Sequence, residues 1–536
     1  MSSIFGLYHR DGSPVDKAAL EAMGAAHAAW QPDAKGIWCE AGLGLGHCLL
    51  GNTPESQSEQ QPLVSTVAGD VCVITADLRL DNRTELESAL GLEAGQCGQN
   101  NDVELLMLAW QKWGDDCARH LLGDFAFVVW DGANQRLFCC RDHMGIRPFY
   151  YFMTDDLFAF ASDIRVLLAL KALPRDLSPY AVAIYLNEGE LESPFQTFLK
   201  SVYKLPASMY MTVSGREVAR GSYWQPEDAP SLSFDSSEAC AAALRGLLKR
   251  AVSDRLRSTF PVYAHLSGGL DSSAIATLAA RQLAGQNRQL KAFNWVYPPT
   301  ETDDDSHYEW SFARRLANDE GIDLQNIDLS VEDILNDLKN SDIALGNNVD
   351  TWYETKTLDS VKKGEGRTIL SGWGGDELIS HAGYAVYGEL FWTGCFSSAI
   401  HGLVTEAKQA NKPLRRFAGL VRDEILLPRL PVWLRDLAGN SGSAFPDYLK
   451  CAQADFRDYV QGQSLCFYKR PVLNNRAVQL NLFHTGHIQN RIDSWSASAW
   501  EQGIEYRYPL LDVRVIEFAL GLEAAYYRRD GQGRYI

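Results

Sequence analysis

Leu266-Ser-Gly-Gly-Leu-Asp-Ser-Ser273 decides how this chain is read. It closes an apolar run, Pro261-Val-Tyr-Ala-His-Leu266, and runs straight into Ala274-Ile-Ala-Thr-Leu-Ala-Ala280, a stretch of helical character. Strand, glycine-rich turn and helix N-terminus together predict an anion site, because free backbone N–H groups and the positive end of the helix dipole converge there. Gly268 and Gly269 let the main chain approach phosphate oxygens closely. Leu266 ends the strand, and Ser267, Ser272 and Ser273 add hydroxyl donors. Asp271 is a poor neighbour for bare phosphate, so it points to Mg2+ between carboxylate and phosphates. No GxxxxGK[ST] is present, which excludes the kinase and GTPase type of loop.

A second stretch, Thr368-Ile-Leu-Ser-Gly-Trp-Gly-Gly-Asp-Glu377, is another short apolar strand opening into a glycine-rich turn. In an open α/β sheet, loops at the carboxyl ends of neighbouring strands line one crevice. Asp376 is therefore the expected second carboxylate for the metal, and Gly372 and Gly375 join the nucleotide-binding set.

Working outward, the surroundings alternate amphipathic helices (Glu238–Arg257) with apolar strands (Pro261–Leu266, Leu290–Val296, Thr368–Leu370), which is α/β grammar. After about Phe391 the chain reads as mostly helical. Residues 1–225 are different: short β segments such as Val71–Thr75, Phe125–Trp130 and Met209–Val213 are separated by Asp, Asn and Gly turns, with a helical piece at Val103–Trp113. Gln225–Ser237, rich in Pro, Ser and acidic residues, reads as the linker. The expected organisation is a domain at 1–225, a linker at 226–237 and a second domain at 238–536.

The 536 residues carry 50 Lys and Arg against 68 Asp and Glu, a net charge of −18. That balance argues against a protein that coats nucleic acid through bulk charge. The charge is uneven, at −11 over residues 1–225, −11 over 226–400 and +4 over 401–536. No apolar run approaches the ~18 residues of a membrane span, and the N-terminus lacks the pattern of a signal peptide. Eleven scattered cysteines without a CxxC read as reduced thiols, so the cytoplasm is the expected location.

Several motifs in order resemble the asparagine-synthetase superfamily over nearly the whole chain. Gln61-Pro62-Leu63, Asp81-Asn-Arg-Thr-Glu-Leu86, Leu122-Gly-Asp-Phe-Ala-Phe127 and Arg141-Asp-His-Met-Gly-Ile-Arg-Pro-Phe-Tyr-Tyr151 are similar to its class-II glutamine-amidotransferase domain. The two glycine-rich loops and Gly503-Ile-Glu-Tyr-Arg-Tyr-Pro-Leu-Leu-Asp512 are similar to its synthetase domain. The resemblance implies an α+β N-terminal domain, an Ntn-type αββα sandwich. It also implies an α/β PP-loop ATP pyrophosphatase domain, similar to adenine-nucleotide alpha hydrolases, with a helical C-terminal part. ATP and Mg2+ are the implied cofactors.

The departures from that pattern carry the functional reading. A working amidotransferase of this class has Cys at residue 2, whose thiol attacks glutamine; this chain has Ser2 and Ser3. Leu49 stands where the family places its glutamine-binding Arg, and Ala76-Asp77-Leu78-Arg79 lies near the position of its Asn-Gly-Glu segment. These losses imply an inactive glutaminase. Within the superfamily, β-lactam synthetases and lasso-peptide cyclases adenylate a carboxylate and close a ring with an amine of the same molecule. Trp373 occupies the catalytic position where asparagine synthetases carry Glu and β-lactam synthetases Tyr. Arg534 aligns with the catalytic Lys of the β-lactam enzymes and keeps its positive charge. Glu505 is the candidate carboxylate of the acceptor pocket. The resemblance therefore implies a lasso-peptide cyclase acting on a leader-cleaved precursor peptide, with a leader-binding or leader-peptidase partner. The alternatives are an asparagine synthetase, a β-lactam-synthetase-like ligase, or a non-catalytic peptide-binding scaffold. Family members continue past the position of Arg534, so a further helical segment is expected after Ile536. The acidic run at 301–305 reads as a solvated loop.

Overall fold

A computed structural model of the protein describes all residues except 27–30, 68, 94–97, 192, 296–308, 341–353, 432–433, 435–452, 463–472, 530 and 536. The acidic run at 301–305 lies outside the described residues.

The N-terminal part builds two six-stranded sheets from twelve strands. Strands β1 (Ser3–His9), β2 (Ala34–Glu40), β3 (Leu43–Leu49), β8 (Tyr150–Met153), β9 (Leu157–Ala161) and β10 (Val202–Lys204) form one, in the order β10-β8-β9-β1-β3-β2. Strands β4 (Leu63–Val67), β5 (Asp70–Leu80), β6 (Gly123–Asp131), β7 (Arg136–Arg141), β11 (Met209–Ser214) and β12 (Glu217–Ser222) form the other, in the order β12-β11-β7-β6-β5-β4. Successive side chains on a strand point to opposite faces, so each strand feeds two cores. In β6, Ala126 and Val128 enter the layer between the sheets, while Phe125, Phe127 and Val129 pack outward with the helix Asp102–Trp113. In β1, Ile4 points into the shared layer and Phe5 and Leu7 pack with the helix Lys17–Ala25. Helix, sheet, sheet, helix is the αββα sandwich. The helix Asp102–Trp113 begins with a reciprocal capping box between Asn101 and Glu104, which satisfies two otherwise orphaned N–H groups.

The C-terminal part centres on a parallel sheet of β13 (Val262–His265), β14 (Lys291–Asn294), β15 (Asp323–Asn326), β16 (Thr368–Leu370) and β17 (Glu505–Arg507), ordered β15-β14-β13-β16-β17. Both faces are covered, which is why Val262, Ala264, Ile369 and Leu370 are buried without polar alternation. The chain winds outward from β13 to β14 and β15, then returns to place β16 on the other side of β13. Between β13 and β16 the strand order reverses, and such a reversal opens a crevice at the carboxyl ends of the two strands. The expected strands at Leu290–Val296 and Thr368–Leu370 correspond to β14 and β16. The polar β15, Asp-Leu-Gln-Asn, has no apolar signature to announce it. Among the described residues, no helix is long and apolar enough to cross a membrane.

Buried ion pairs tie the two parts together. Arg147 Nη2 donates to Glu505 at 2.9 Å and lies 3.6 Å from Asp77. Arg255 crosses to Asp81 at 3.3 Å while also pairing with Asp512 of its own part at 2.7 Å, and Asp124 beside it holds Arg79 within the N-terminal part at 2.7 Å. Asp493 is fully buried between Arg141, at 2.7 Å, and Lys204, at 3.1 Å.

Candidate nucleotide site and the N-terminal pocket

The two glycine-rich loops leave β13 and β16 side by side at the reversal of strand order and touch. A Cβ on Gly372 would lie 2.6 Å from Ser272 N, and one on Gly375 would collide with the Asp271 carboxylate. No other residue admits this approach. Gly268 adopts φ +96° with its α-carbon against the Glu309 carbonyl, so glycine is required there for conformation and for space. The helix Leu270–Ala284 starts at Gly269 and points its N-terminus into the crevice. Ser267 and Ser272 stabilise the turn: their hydroxyls are 2.9 Å apart, Ser267 N–H donates to Ser272 Oγ at 3.2 Å, and Gly269 N–H donates to Ser267 Oγ at 3.2 Å.

Asp271 sits in the first turn of that helix and accepts a hydrogen bond from Ser380 Oγ at 3.0 Å. Burial pushes its carboxyl up to about 6, against the Ser380 bond; Asp376 and Glu377 push the same way and Arg534 opposes them. Glu377 is likewise raised by burial, and it accepts the Gly374 N–H at 3.1 Å. The structure brings Arg534 to this cluster, with Nη2 2.5 Å from Asp376 Oδ1. Arg534 has φ +55°, a conformation costly for a side-chain-bearing residue and of the kind found at functional positions. The short hairpin Arg528–Arg529 with Gln532–Gly533 presents it, anchored by Arg528 on Glu406 and Glu424 and over the Tyr387 ring.

This donor set fits Mg2+. Two carboxylates on adjoining loops repel each other, and hydroxyls flank them. Among the described residues, no group of three or more His, Cys, Asp or Glu could hold a metal alone. One or two carboxylates completed by phosphate oxygens is how Mg2+ is usually held in nucleotide sites.

Trp373 lies on the same loop, its ring centroid 6.3 Å from those of His487 and Tyr508. Glu505 does not join this cluster. It is the first residue of β17, paired with Thr368 at the amino end of β16, whereas the glycine-rich loops leave the carboxyl ends. It is 3% exposed, and Arg147 and Arg507 hold its carboxyl well below the usual range despite burial. Glu505 thus belongs to the domain interface and not to the acceptor pocket expected of it; the spacing in Gly503–Asp512 does not reveal which end of the strand it occupies. Ser380 and His487 carry no motif of their own, whereas Glu377 lies inside the quoted loop.

The N-terminal pocket is small. Ser2 Oγ accepts the Leu50 N–H at 3.0 Å, and the side chain is buried. Ser2, Leu49, Asp77, Arg79, Arg147, Glu505 and Arg507 line a cavity of only about 20 Å³, bordered by the interdomain ion network.

Residues 243–536 match the asparagine synthase family, and residues 1–224 match the glutamine amidotransferase domain family. The chain belongs to the asparagine synthase family. Among relatives, it is 30% identical to a protein named asparagine synthetase [glutamine-hydrolyzing] 3 of Bacillus subtilis over 54% of this chain and 46% of that one. A putative asparagine synthetase [glutamine-hydrolyzing] 2 of Methanocaldococcus jannaschii is 31% identical over 50% of this chain and 54% of its own. Amidase chry2 of Gibberella zeae is 27% identical over 63% of this chain and 50% of its own. The matches span about half the length of these relatives.

Proposed function

We propose that the protein is an ATP-dependent, AMP-forming ligase that closes a macrolactam on a peptide, as lasso-peptide cyclases do. The observation that carries this reading is the contrast between the accessible Asp376–Arg534 pair beside Asp271 and a small Ser2 pocket lined by buried ion pairs. The ligase half is equipped, whereas the position that would generate ammonia from glutamine holds a hydroxyl already committed to Leu50 N–H. The amine must then arrive with the substrate.

In this reading the helix N-terminus after Ser267–Gly269 binds the β- and γ-phosphates of ATP. Asp271 and Asp376 would hold Mg2+, whose charge neutralises the phosphates. Arg534 turns from Asp376 toward the α-phosphate and the developing oxyanion, where a fixed cation lowers the barrier. An internal Asp or Glu side chain of a leader-cleaved precursor peptide attacks the α-phosphorus, and pyrophosphate leaves. The peptide's N-terminal amine then attacks the acyl-adenylate, releasing AMP and leaving an isopeptide ring. A leader-binding protein and a leader peptidase would supply the cleaved peptide.

Incubation with Mg·ATP and a leader-free peptide should give a product lighter by one water, with stoichiometric AMP and pyrophosphate. ADP in place of AMP overturns the mechanism. The names of the relatives favour a second reading, an asparagine synthetase using free ammonia. Asparagine formed from aspartate and an ammonium salt would select it; Trp373, which carries no charge or base, weighs against it.

A further inference from the structure

Trp373 leaves the nucleotide loop without a proton acceptor at the position where relatives of this superfamily carry one. The structure places another beside it. His487 opens the helix His487–Trp500, and its ring centroid is 6.3 Å from that of Trp373. Its Nδ1 lies 2.8 and 3.0 Å from the two oxygens of Glu190, which comes from the N-terminal domain just past the helix Pro179–Glu188. A carboxylate can only accept, so Nδ1 carries the proton and the Nε2 lone pair is left available. No described residue hydrogen-bonds Nε2, and the side chain is 31% exposed.

The ring is held from both domains. Gly486 precedes it at φ +77° with no room for a Cβ, which would lie 2.9 Å from Pro194 N. One turn on, Asn490 donates to the Leu191 carbonyl and accepts from Lys204 Nζ at 2.8 Å. The charged groups facing His487 are Glu190, Glu377 from the nucleotide loop, and Arg491 on its own helix. The Glu190 hydrogen bond, aided by Glu377, raises the imidazole above its usual value against burial and Arg491, which suits a base working near neutral pH.

We propose that His487, oriented by Glu190, is the general base that takes the proton from the attacking amine. The step rests on the ligase reading above. The amine lone pair forms the C–N bond at the acyl-adenylate carbonyl, and one N–H proton passes to His487 Nε2. The C–O bond to phosphate breaks, and AMP leaves with that electron pair. The proton is returned to solvent. The amidotransferase domain thereby keeps a part in catalysis, since it supplies the carboxylate that fixes the base.

The test separates adenylation from ring closure. The probes are Mg·ATP, labelled pyrophosphate and synthetic peptides with a free N-terminal amine and one Asp or Glu at stepped spacings from it. His487→Gln should leave peptide-dependent ATP–pyrophosphate exchange within about threefold of wild type while closure falls ~10²–10⁴-fold, and imidazole should partly restore closure in His487→Ala. Glu190→Gln, a gentler change, removes the charge that raises the imidazole, so the acidic limb of the closure rate should move to lower pH. Equal losses of exchange and closure, or closure at the wild-type rate with an unmoved pH profile, overturn the assignment. Absence of exchange in the wild-type protein overturns the ligase reading and this assignment with it.

Discussion

The Ser2 pocket and the Asp271 crevice hold similar residues, serines, aspartates and arginines, yet they differ in what surrounds each charge. Around Ser2, every cation has a buried anionic partner: Arg147 and Arg507 meet Glu505, and Arg79 meets Asp124. Around Asp271, two carboxylates face each other across touching loops, and Arg534, which pairs with Asp376, is 40% exposed. A buried, charge-paired network resists change; an unbalanced, accessible one leaves charge for a ligand to neutralise. On the N-terminal side the charges are paired within the protein, while the Asp271 crevice keeps a charge imbalance of the kind a metal–nucleotide would relieve.

The largest effect should come from the unbalanced site. Asp271→Ala or Asp376→Ala should cut AMP release by ~10²–10³-fold or more while circular dichroism and melting stay near wild type. A variant that turns over normally would erase the distinction between the two pockets. Glu505→Gln tests the other side. It leaves Arg147 and Arg507 buried without their shared anion, a loss of ~3–5 kcal/mol, read as a lower denaturation midpoint. Exchange activity per folded molecule should be unchanged; selective loss of exchange with stability intact would return Glu505 to the acceptor pocket.

The sequence announces what is local and hides what is distant. Strand, Gly-rich turn, Asp and helix N-terminus are contiguous at 262–284, so this strand–loop–helix unit could be read directly, and strands of the sandwich were read as short β segments between Asp, Asn and Gly turns. Arg534 was legible only through family resemblance, because nothing nearby signals its contact with Asp376. Arg147 and Glu505 are 358 positions apart, and His487 and Glu190 are 297 apart. Such pairs exist only once two domains dock, and no periodicity encodes them. Glu505 was misplaced for that reason: its residue type suggested chemistry, and its partner came from the other domain.

Proton linkage gives a smaller effect with a definite sign. The Asp271 carboxyl stands at about 6 in the folded protein against an ordinary 3.8. A raised carboxyl costs stability once it must ionise; the cost is absent below the unfolded value, grows between the two and is complete above about 6. Asp271→Asn should therefore stabilise the protein at neutral pH, by on the order of 1 kcal/mol after screening, and leave it unchanged near pH 4. Wild-type affinity for Mg·ATP should fall as pH drops through about 6, since the protonated carboxyl no longer binds the cation. Nucleotide binding by titration calorimetry checks this, and a flat profile would remove Asp271 from the metal site.

The smallest effect belongs to Ser2. Its hydroxyl accepts the Leu50 N–H, so Ser2→Ala should cost about 1 kcal/mol of stability and leave ligase turnover within twofold, roughly, of wild type. Ser2→Cys sharpens the point, because it restores the nucleophile type without the pocket. Leu49 cannot hold a glutamine carboxylate, and the Arg147–Glu505–Arg507 cluster still occupies the lining. Glutamine should therefore yield no glutamate above background with this variant, even with ATP and peptide present. Glutamate release would mean that the buried ion pairs open readily, and that the pocket lost only a sulfur atom and not its shape.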